Sequence, residues 1–377
     1  MAPPMTAQAS ILHVDESTMF GGAQRAALTL LEGLSNDFDV TLGHIDSPAL
    51  SSLVEEAKRH DIPTWAMPPM PPGAVGARRI PALARALRRR REDIVHLHLT
   101  WPLGCQYQLL AATLARVPTV VATVHLTFDL ALGRRVAVQQ RALTHAVDRY
   151  LAVSQHVRRR LVDDLHWPAA KIDVVPNGVP AHKRASPRQI RELRDSLPRS
   201  RDVAVVLVPA RLHEHKGHRY LLSAATEVTN AQFVVAGDGP ERAALERLAH
   251  ALGIDDRVSF VGHRDDIPAL LDVADAVVLP SLYEGMPISL LEAMTAGTPV
   301  VATRIGGIDE IITDGADGLL VDPRDAHGLA IALRAVLSDR TRAMQMAERA
   351  QRTAQARFSA GVMCARVSET YRELVGN

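Results

Sequence analysis

The sequence predicts an α/β protein of two domains, each a parallel sheet with helices on both faces. Three observations carry that prediction. Short apolar runs alternate with amphipathic helical stretches from Ser10 onward, the pattern of repeated βα units. The alternation breaks once, at VPNGVPAHKRASPRQIRELRDSLPR from Val175 to Arg199, a stretch rich in proline, charge and turn residues. It then restarts. The chain has 377 residues, 47% of them hydrophobic, enough for two domain cores of ordinary size.

Taken in order, Ser10–Val14 reads as a short strand. Gly22–Leu34 reads as a helix, because Ala23, Ala26, Ala27, Leu30, Leu31 and Leu34 recur at the helical period. Val40–His44, Ile94–Leu97, Thr119–Val124 and Tyr150–Val153 read as further buried strands. After the break, strands are expected at Val203–Val208, Gln232–Ala236, Val258–Val261, Ala276–Leu279, Val300–Ala302 and Leu319–Val321, and two helical stretches end the chain. Two such sets joined near residue 180 imply two Rossmann-like domains with parallel sheets facing across a cleft. In sheets of this kind ligands bind beyond the carboxyl ends of the strands.

The bulk properties exclude several classes. The 43 basic and 42 acidic residues leave a net charge of +1, which is no footprint for nucleic acid. Two cysteines, Cys105 and Cys364, are too few for a disulfide framework or a metal site and fit a reducing compartment. The opening residues MAPPMTAQAS lack a basic region followed by an apolar one. No run of about 18 apolar residues occurs. The expectation is a cytoplasmic protein. Four of the basic residues are lysine (Lys58, Lys171, Lys183, Lys216) and the rest are arginine. This bias, with the short chain, suggests a bacterium with a GC-rich genome. It also makes a lysine in a candidate site stand out, since a compact ammonium is not a guanidinium.

The densest candidate site is PSLYEGMPISLLEAMTAGTP, Pro280–Pro299. Glu284 falls in the loop after a strand, and Glu292 falls in a helix that starts near Ile288. Carboxylates accept hydrogen bonds from hydroxyls, and helix N-terminal amides attract an anion. The pair therefore suits a ligand carrying both hydroxyls and phosphate, or else is a capping acid plus a solvated one. Upstream, Arg211 and Lys216 lie in the loop of PARLHEHKGHRYLL, with Gly217 opening a helix. Two cations beside a helix N-terminus form a pyrophosphate clamp or a solvated basic loop. Gly21 and Gly22 open the first helix, where a phosphate oxygen can approach the backbone closely, although the G-x-G-x-x-G fingerprint is absent. His125 ends a strand and should point into the cleft. His96 reads as packed and His98 as facing the cleft. Asp37-Phe-Asp39 has the D-x-D shape of a metal-bound sugar-nucleotide site, but its place between a helix and a strand reads as a turn. No metal site is expected. Arg88–Arg91 form a basic run at a helix end, a solvated face or a contact for an anionic membrane.

Together these stretches resemble the family-four retaining glycosyltransferases of the GT-B fold. The matching residues are GGAQR at Gly21–Arg25, VATVH ending at His125, VSQHVRRRL at Val153–Leu161 and VPNGV at Val175–Val179. Then come PARLHEHKG at Pro209–Gly217, VVAGDGPER at Val234–Arg242, VSFVGHRDDIPALLDVAD at Val258–Asp275, and the E-x7-E stretch. The resemblance implies an N-terminal domain over 1–178, a nucleotide-sugar domain over 179–358, and a final helix over 359–377 crossing back to the first domain. It implies transfer of a hexose from a nucleotide diphosphate sugar with retention, without metal or other cofactor. By position, Arg211 and Lys216 would clamp the diphosphate, Glu292 would bind the ribose hydroxyls, and Glu284 would lie beside the donor sugar. Backbone amides of Gly285, Met286 and Ile288 would read that sugar. Gly262, His263 and Arg264 would hold the base, Gly21 and Gly22 the distal phosphate, and His125 would sit near the sugar and the acceptor. Arg211, Lys216, Glu284 and His125 would be the catalytic set.

The chain departs from the pattern at Met286-Pro287, where many relatives have Phe-Gly. Proline carries no N–H, so one backbone contact to the sugar is lost and the donor's identity is open. Family frequency favours a UDP-sugar, with GDP-mannose second. A small, polar, water-soluble acceptor is expected. The alternatives are a lipid-linked acceptor reached at a membrane through Arg88–Arg91, a non-hydrolysing sugar-nucleotide epimerase, and a degenerate nucleotide-sugar-binding subunit. Oligomeric state is not encoded in any motif.

Overall fold

The structure, a computed structural model, describes residues 8–127, 140, 141, 143–197 and 203–376. The chain divides into two compact units. One joins residues 1–178 to 360–377, and the other spans 179–359.

The first unit is built on seven parallel strands: β1 (Ser10–Asp15), β2 (Asp39–Ile45), β3 (Thr64–Met67), β4 (Ile94–Leu99), β5 (Thr119–Val124), β6 (Arg149–Ala152) and β7 (Ile172–Val174). Their order in the sheet is β3-β2-β1-β4-β5-β6-β7. The two outermost strands, β3 and β7, were not expected from the sequence. They are short edge strands, and their sequences, TWAM and IDV, are only partly buried, so neither gives the apolar run by which a central strand shows itself. The helix Gly22–Leu34 buries Ala26, Ala27, Leu30, Leu31 and Leu34, the face that its periodicity requires. The last helix, Ala360–Val375, packs in this unit. Its Met363, Cys364, Val367 and Tyr371 share one core with Leu31, Leu34, Phe38 and Ile11.

The second unit carries six parallel strands: β8 (Ala204–Pro209), β9 (Ala231–Ala236), β10 (Val258–Gly262), β11 (Ala276–Leu279), β12 (Val300–Thr303) and β13 (Leu319–Val321). Their order is β10-β9-β8-β11-β12-β13. Val206, Val208, Phe233, Val235, Val278 and Val301 are each at most 1% exposed. Such complete burial is worth about 1.5–3 kcal/mol per side chain and reflects a sheet covered on both faces. The break at Val175–Arg199 contains a helix, Pro187–Ser196. Its start is specified locally: the Ser186 hydroxyl accepts from the Gln189 N–H, the Gln189 side chain accepts from the Ser186 N–H, and proline follows at the first helical position.

Each sheet reverses its strand order once, between β1 and β4 and between β8 and β11. Loops leaving the carboxyl ends of such a pair diverge and open a crevice. Among the described residues, no helix is long and apolar enough to cross a membrane.

Candidate active site

In the second unit, the loops after β8 and β11 are pressed together. Gly217 has φ of 68°, and a Cβ there would fall 1.9 Å from the Pro280 carbonyl oxygen, so only glycine permits the approach. The Leu282 N–H donates to the His215 carbonyl at 2.7 Å, and the His215 ring stacks on Tyr283 with centroids 4.8 Å apart. This contact puts Lys216 Nζ 2.5 Å from Glu284 Oε1. The Ser281 hydroxyl donates to the same oxygen at 2.8 Å, and the Ser281 carbonyl accepts from the Thr303 hydroxyl. The two charged side chains are only 15% and 7% exposed. An ion pair this buried holds because each charge answers the other, and removing one partner leaves an uncompensated charge. The sequence placed Lys216 and Glu284 in separate roles. The structure joins them across the switch point.

Arg211 lies half-buried two residues past β8, and its guanidinium makes no ion pair among the described residues. Its loop is fastened to the Gly-Asp-Gly turn after β9, with the Leu212 N–H donating to the Asp238 carbonyl at 2.9 Å and the Glu241 N–H to the Leu212 carbonyl at 3.1 Å. Three histidines of this region are held neutral. Burial, then the Lys216 charge, lowers His215 to about 4. Burial lowers His218 to about 4. Burial, then the charges of Arg211 and Lys216, lowers His213. The positive charge of the loop thus resides on Arg211 and Lys216.

Past Glu284, the backbone turns through Gly285, Met286 and Pro287 into the helix Ile288–Ala296. A Cβ on Gly307 would lie 1.6 Å from the Gly285 carbonyl oxygen, so the segment after β12 lies directly on this turn. Met286 and Ile288 are buried. Pro287 is the residue before the first helical turn. Glu292 lies one turn further along, half-buried. Gly262 ends β10. His263 is exposed beside Asp265. The Arg264 guanidinium is committed to both Asp266 oxygens at 2.7 and 2.5 Å.

In the first unit, Gly21 precedes the helix that Gly22 opens. The loop before it is fixed by Asp15 at the end of β1, whose carboxylate accepts from the Ser17 N–H at 2.7 Å and from Gln24 Nε2 at 2.8 Å. The Ser17 hydroxyl is 3.1 Å from that of Thr100 after β4, which ties the two switch-point loops together. Glu16 accepts from the Cys105 N–H at 2.6 Å. Burial raises both the Asp15 and the Glu16 carboxyls. The sequence reading passed over Asp15, Glu16 and Gln24. An acid that closes the first strand of such a sheet was the available signal.

His125 follows β5 and is buried, with Nε2 3.2 Å from His98 Nδ1 and with its Nδ1 unpartnered among the described residues. Burial lowers it to about 4. His96 is packed, as expected. His98 is a correction: it is 1% exposed and faces His13 and His125 rather than solvent, because its strand is covered by the helices of this unit. Asp37 pairs with Arg372 at 2.9 Å and Phe38 packs edge-on against Tyr371, so Asp37-Phe-Asp39 is a turn that anchors the last helix. In the basic run, Arg88 donates to the Leu114 carbonyl at 2.7 Å. Arg90 pairs with Glu92 and stacks on Trp65.

Two family descriptions match the chain: Glycosyltransferase Family 4 over residues 20–183, and Glycosyl transferases group 1 over residues 189–353. The fold and site therefore define a glycosyltransferase of the GT-B type, and the chain belongs to glycosyltransferase family 4. It is similar to the UDP-Gal:alpha-D-GlcNAc-diphosphoundecaprenol alpha-1,3-galactosyltransferase of Escherichia coli, 29% identical over 88% of each chain. It is 32% identical to the 2-deoxystreptamine glucosyltransferase of Streptomyces kanamyceticus, over 68% of this chain and 72% of that one. Among solved structures it is similar to Anabaena Alr3699/HepE in complex with UDP-glucose, with a TM-score of 0.85, 23% identity, and 97% and 99% of the two chains covered.

Proposed function

We propose that this glycosyltransferase moves a hexose-type sugar from a UDP-sugar to a hydroxyl of a small, polar acceptor, with retention and without a metal ion. The observation that carries the reading is the Lys216–Glu284 pair at the β8/β11 switch point, with Arg211 beside it. A diphosphate entering this loop meets two cations. Lys216 can exchange its bond to Glu284 for one to phosphate, which frees a carboxylate for a sugar hydroxyl. As the bond from the anomeric carbon to the diphosphate breaks, negative charge grows on the leaving oxygen, and preorganised cations stabilise that charge most. No side chain here presents itself as a covalent nucleophile. The economical course is attack on the same face, with the acceptor proton passing to the departing phosphate. Glu292 would hold the ribose, and the Gly262–Arg264 backbone would hold the base.

Family membership sets the epimerase reading aside. One relative, named for UDP-Gal and a diphosphoundecaprenol acceptor, supports a UDP-sugar donor, and with the other, named for 2-deoxystreptamine, it leaves two acceptor classes in view. The small acceptor is favoured because Arg88 and Arg90 are engaged within their own unit, so half of the basic run is committed to the fold.

The test is a donor screen by nucleotide release, followed by mass spectrometry and anomeric NMR of products from an acceptor panel. Calorimetry should show UDP binding well ahead of GDP. Tight binding of GDP with none of UDP would overturn the donor assignment. Sedimentation of the protein with anionic vesicles at physiological salt, lost on replacing Arg88–Arg91, would make the lipid acceptor the better reading.

A further inference from the structure

On one face of the first sheet, four positions that a parallel α/β sheet would normally fill with aliphatic side chains carry histidine. His13 lies opposite His96 in register, and His98 lies opposite Thr123. His125 follows two residues on. The rings pack in a row: centroids are 4.9 Å apart for His13 and His96, which are tilted by 39°, 4.6 Å for His96 and His98, and 5.5 Å for His98 and His125, the last two pairs stacked. Tyr371, from the last helix, stands edge-on to His96 and is fully buried.

The ring nitrogens connect in series. Thr123 Oγ1 meets His96 Nε2 at 2.7 Å. His96 Nδ1 meets the Tyr371 hydroxyl, which lies 3.4 Å from His13 Nε2. His13 Nδ1 is 3.0 Å from His98 Nε2, and His98 Nδ1 is 3.2 Å from His125 Nε2. The series ends at His125 Nδ1, which is buried and unpartnered among the described residues.

A metal is the first alternative. Ligand atoms of His13, His96 and His98 lie within 4.8 Å of one another. Yet all six of their ring nitrogens already face a hydrogen-bond partner. The His98 ring is also stacked on those of His13 and His96, and stacked rings direct their in-plane lone pairs side by side rather than at a common point. A hydrogen-bonded chain accounts for every contact, and a metal would have to break most of them.

A neutral imidazole has one donor and one acceptor, and the partner of one nitrogen sets the state of the other. These four are neutral. Burial lowers His13 to about 3 and His125 to about 4, and holds His96 and His98 well below their ordinary value. In such a series only two arrangements keep every bond and also give the buried Tyr371 proton an acceptor. In one, each histidine carries its proton on Nδ1; in the other, each carries it on Nε2. The Tyr371 hydroxyl turns toward His13 in the first and toward His96 in the second. A mixed arrangement sets two N–H groups or two lone pairs against each other, or, where the change falls at Tyr371, leaves the buried phenol proton without an acceptor.

We propose that Tyr371, His96, His13, His98 and His125 switch as one unit, so that Tyr371, His13 and His98 are positioning residues that fix whether His125 Nδ1 offers a lone pair or an N–H to a ligand hydroxyl. The proposal rests on the reading of His125 as a group beside the transferred sugar and the acceptor. It extends the site by four side chains, one of them drawn from the far end of the chain.

Nitrogen-15 NMR of the histidine rings at pH 7, on the full chain, tests the unit directly. All four imidazoles should show the same tautomer. Tyr371→Phe should uncouple His96 from the other three and lower kcat about tenfold with the donor KM within about twofold, the pattern of an interaction realised in the transition state. His13→Leu suits an apolar core and should fold, yet it should be as slow as Tyr371→Phe. His13→Gln, which keeps one donor and one acceptor, should recover most of the rate. A purely structural role predicts the reverse order. Unlike tautomers among the four, ring signals that shift on adding zinc, or a His13→Leu enzyme as fast as the natural one would each overturn the proposal. His125→Ala at the natural rate would instead overturn the catalytic reading of His125, and with it the positioning role, leaving the shared tautomer as a separate result.

Discussion

The two units share a topology and fill its switch point with opposite chemistry. At β8/β11 the loops carry full charges: Lys216 on Glu284, with Arg211 beside them. At β1/β4 the strand ends carry imidazoles that burial keeps neutral, in a chain ending at His125. The difference follows from exposure. A charge survives near a loop where it is paired and partly wet, whereas on a covered sheet face the charged form of a histidine is disfavoured by several kcal/mol. What each end can hold follows in turn. Fixed cations suit a diphosphate and its developing charge. Neutral rings with one donor and one acceptor suit a hydroxyl, which is itself both.

Acid should separate the units most sharply. The four histidines of the first unit have folded pKa values depressed below the unfolded value of about 6.5. Below pH 6.5 the unfolded chain therefore binds more protons than the folded one. The stability they contribute is full above that pH and falls as pH drops toward 4 and 3, by up to about 1.4 kcal/mol per pH unit for each histidine. Asp15 and Glu16 work the other way, since burial raises their folded values, and they soften the loss in part. Among the described residues of the second unit three histidines, His213, His215 and His218, are depressed, two of them part-exposed, and the hydrogen bond from Arg264 depresses the part-exposed Asp266. The three tryptophans, Trp65, Trp101 and Trp167, all lie in the first unit. Tryptophan fluorescence should therefore change at higher pH than the circular dichroism of the whole chain. Coincident transitions would mean that the histidine row costs the first unit nothing.

How much of this was legible differs between the units for a physical reason. Arg211, Lys216, Glu284 and Glu292 stand in two short contiguous stretches, a loop and a loop running into a helix, whose spacing carries the signal, so the sequence singled them out. The pairing of Lys216 with Glu284 did not show, because it depends on β8 and β11 being neighbours although two strands separate them in sequence. The histidine row was harder still. His96 and His98 were visible as an alternation on one strand, but their partners are 83 and more residues away in His13 and Tyr371, and no local period reveals which face a returning helix covers. The helix Pro187–Ser196 was readable and was missed, since Ser186-Pro187-Arg188-Gln189 is a helix start in plain view. The short edges β3 and β7 left little pattern to read.

The charged end can be broken one side chain at a time. Lys216→Ala and Arg211→Ala should each lower kcat by about two orders of magnitude, near 3 kcal/mol of transition-state stabilisation. Lys216→Ala has a second consequence, since it strands Glu284 in a buried place, and a Lys216→Ala, Glu284→Gln double variant should recover stability without recovering rate. Glu292→Ala should act differently, raising the donor KM several-fold with kcat little changed, because the proposed ribose contact would exist in both ground and transition states. A loss below about fivefold for both cation variants, with folding intact by circular dichroism, would remove the clamp.

The smallest expected effect is that of a chelator. Transfer rates should be unchanged, within error, by an excess of EDTA and by added magnesium or manganese. The argument is one of charge. A nucleotide diphosphate leaving group needs positive charge at the oxygen that departs, and on the proposed reading two fixed cations on one loop would supply it without a dissociable ion. A metal would need a carboxylate or imidazole set free to bind it. Near the clamp, Glu284 already answers Lys216 and Ser281. In the other unit every ring nitrogen of His13, His96 and His98 is occupied. Activity abolished by EDTA and restored by a divalent ion would show that the cations of the clamp hold the diphosphate without carrying its departing charge. The contrast between the charged and the neutral switch point would then describe binding alone.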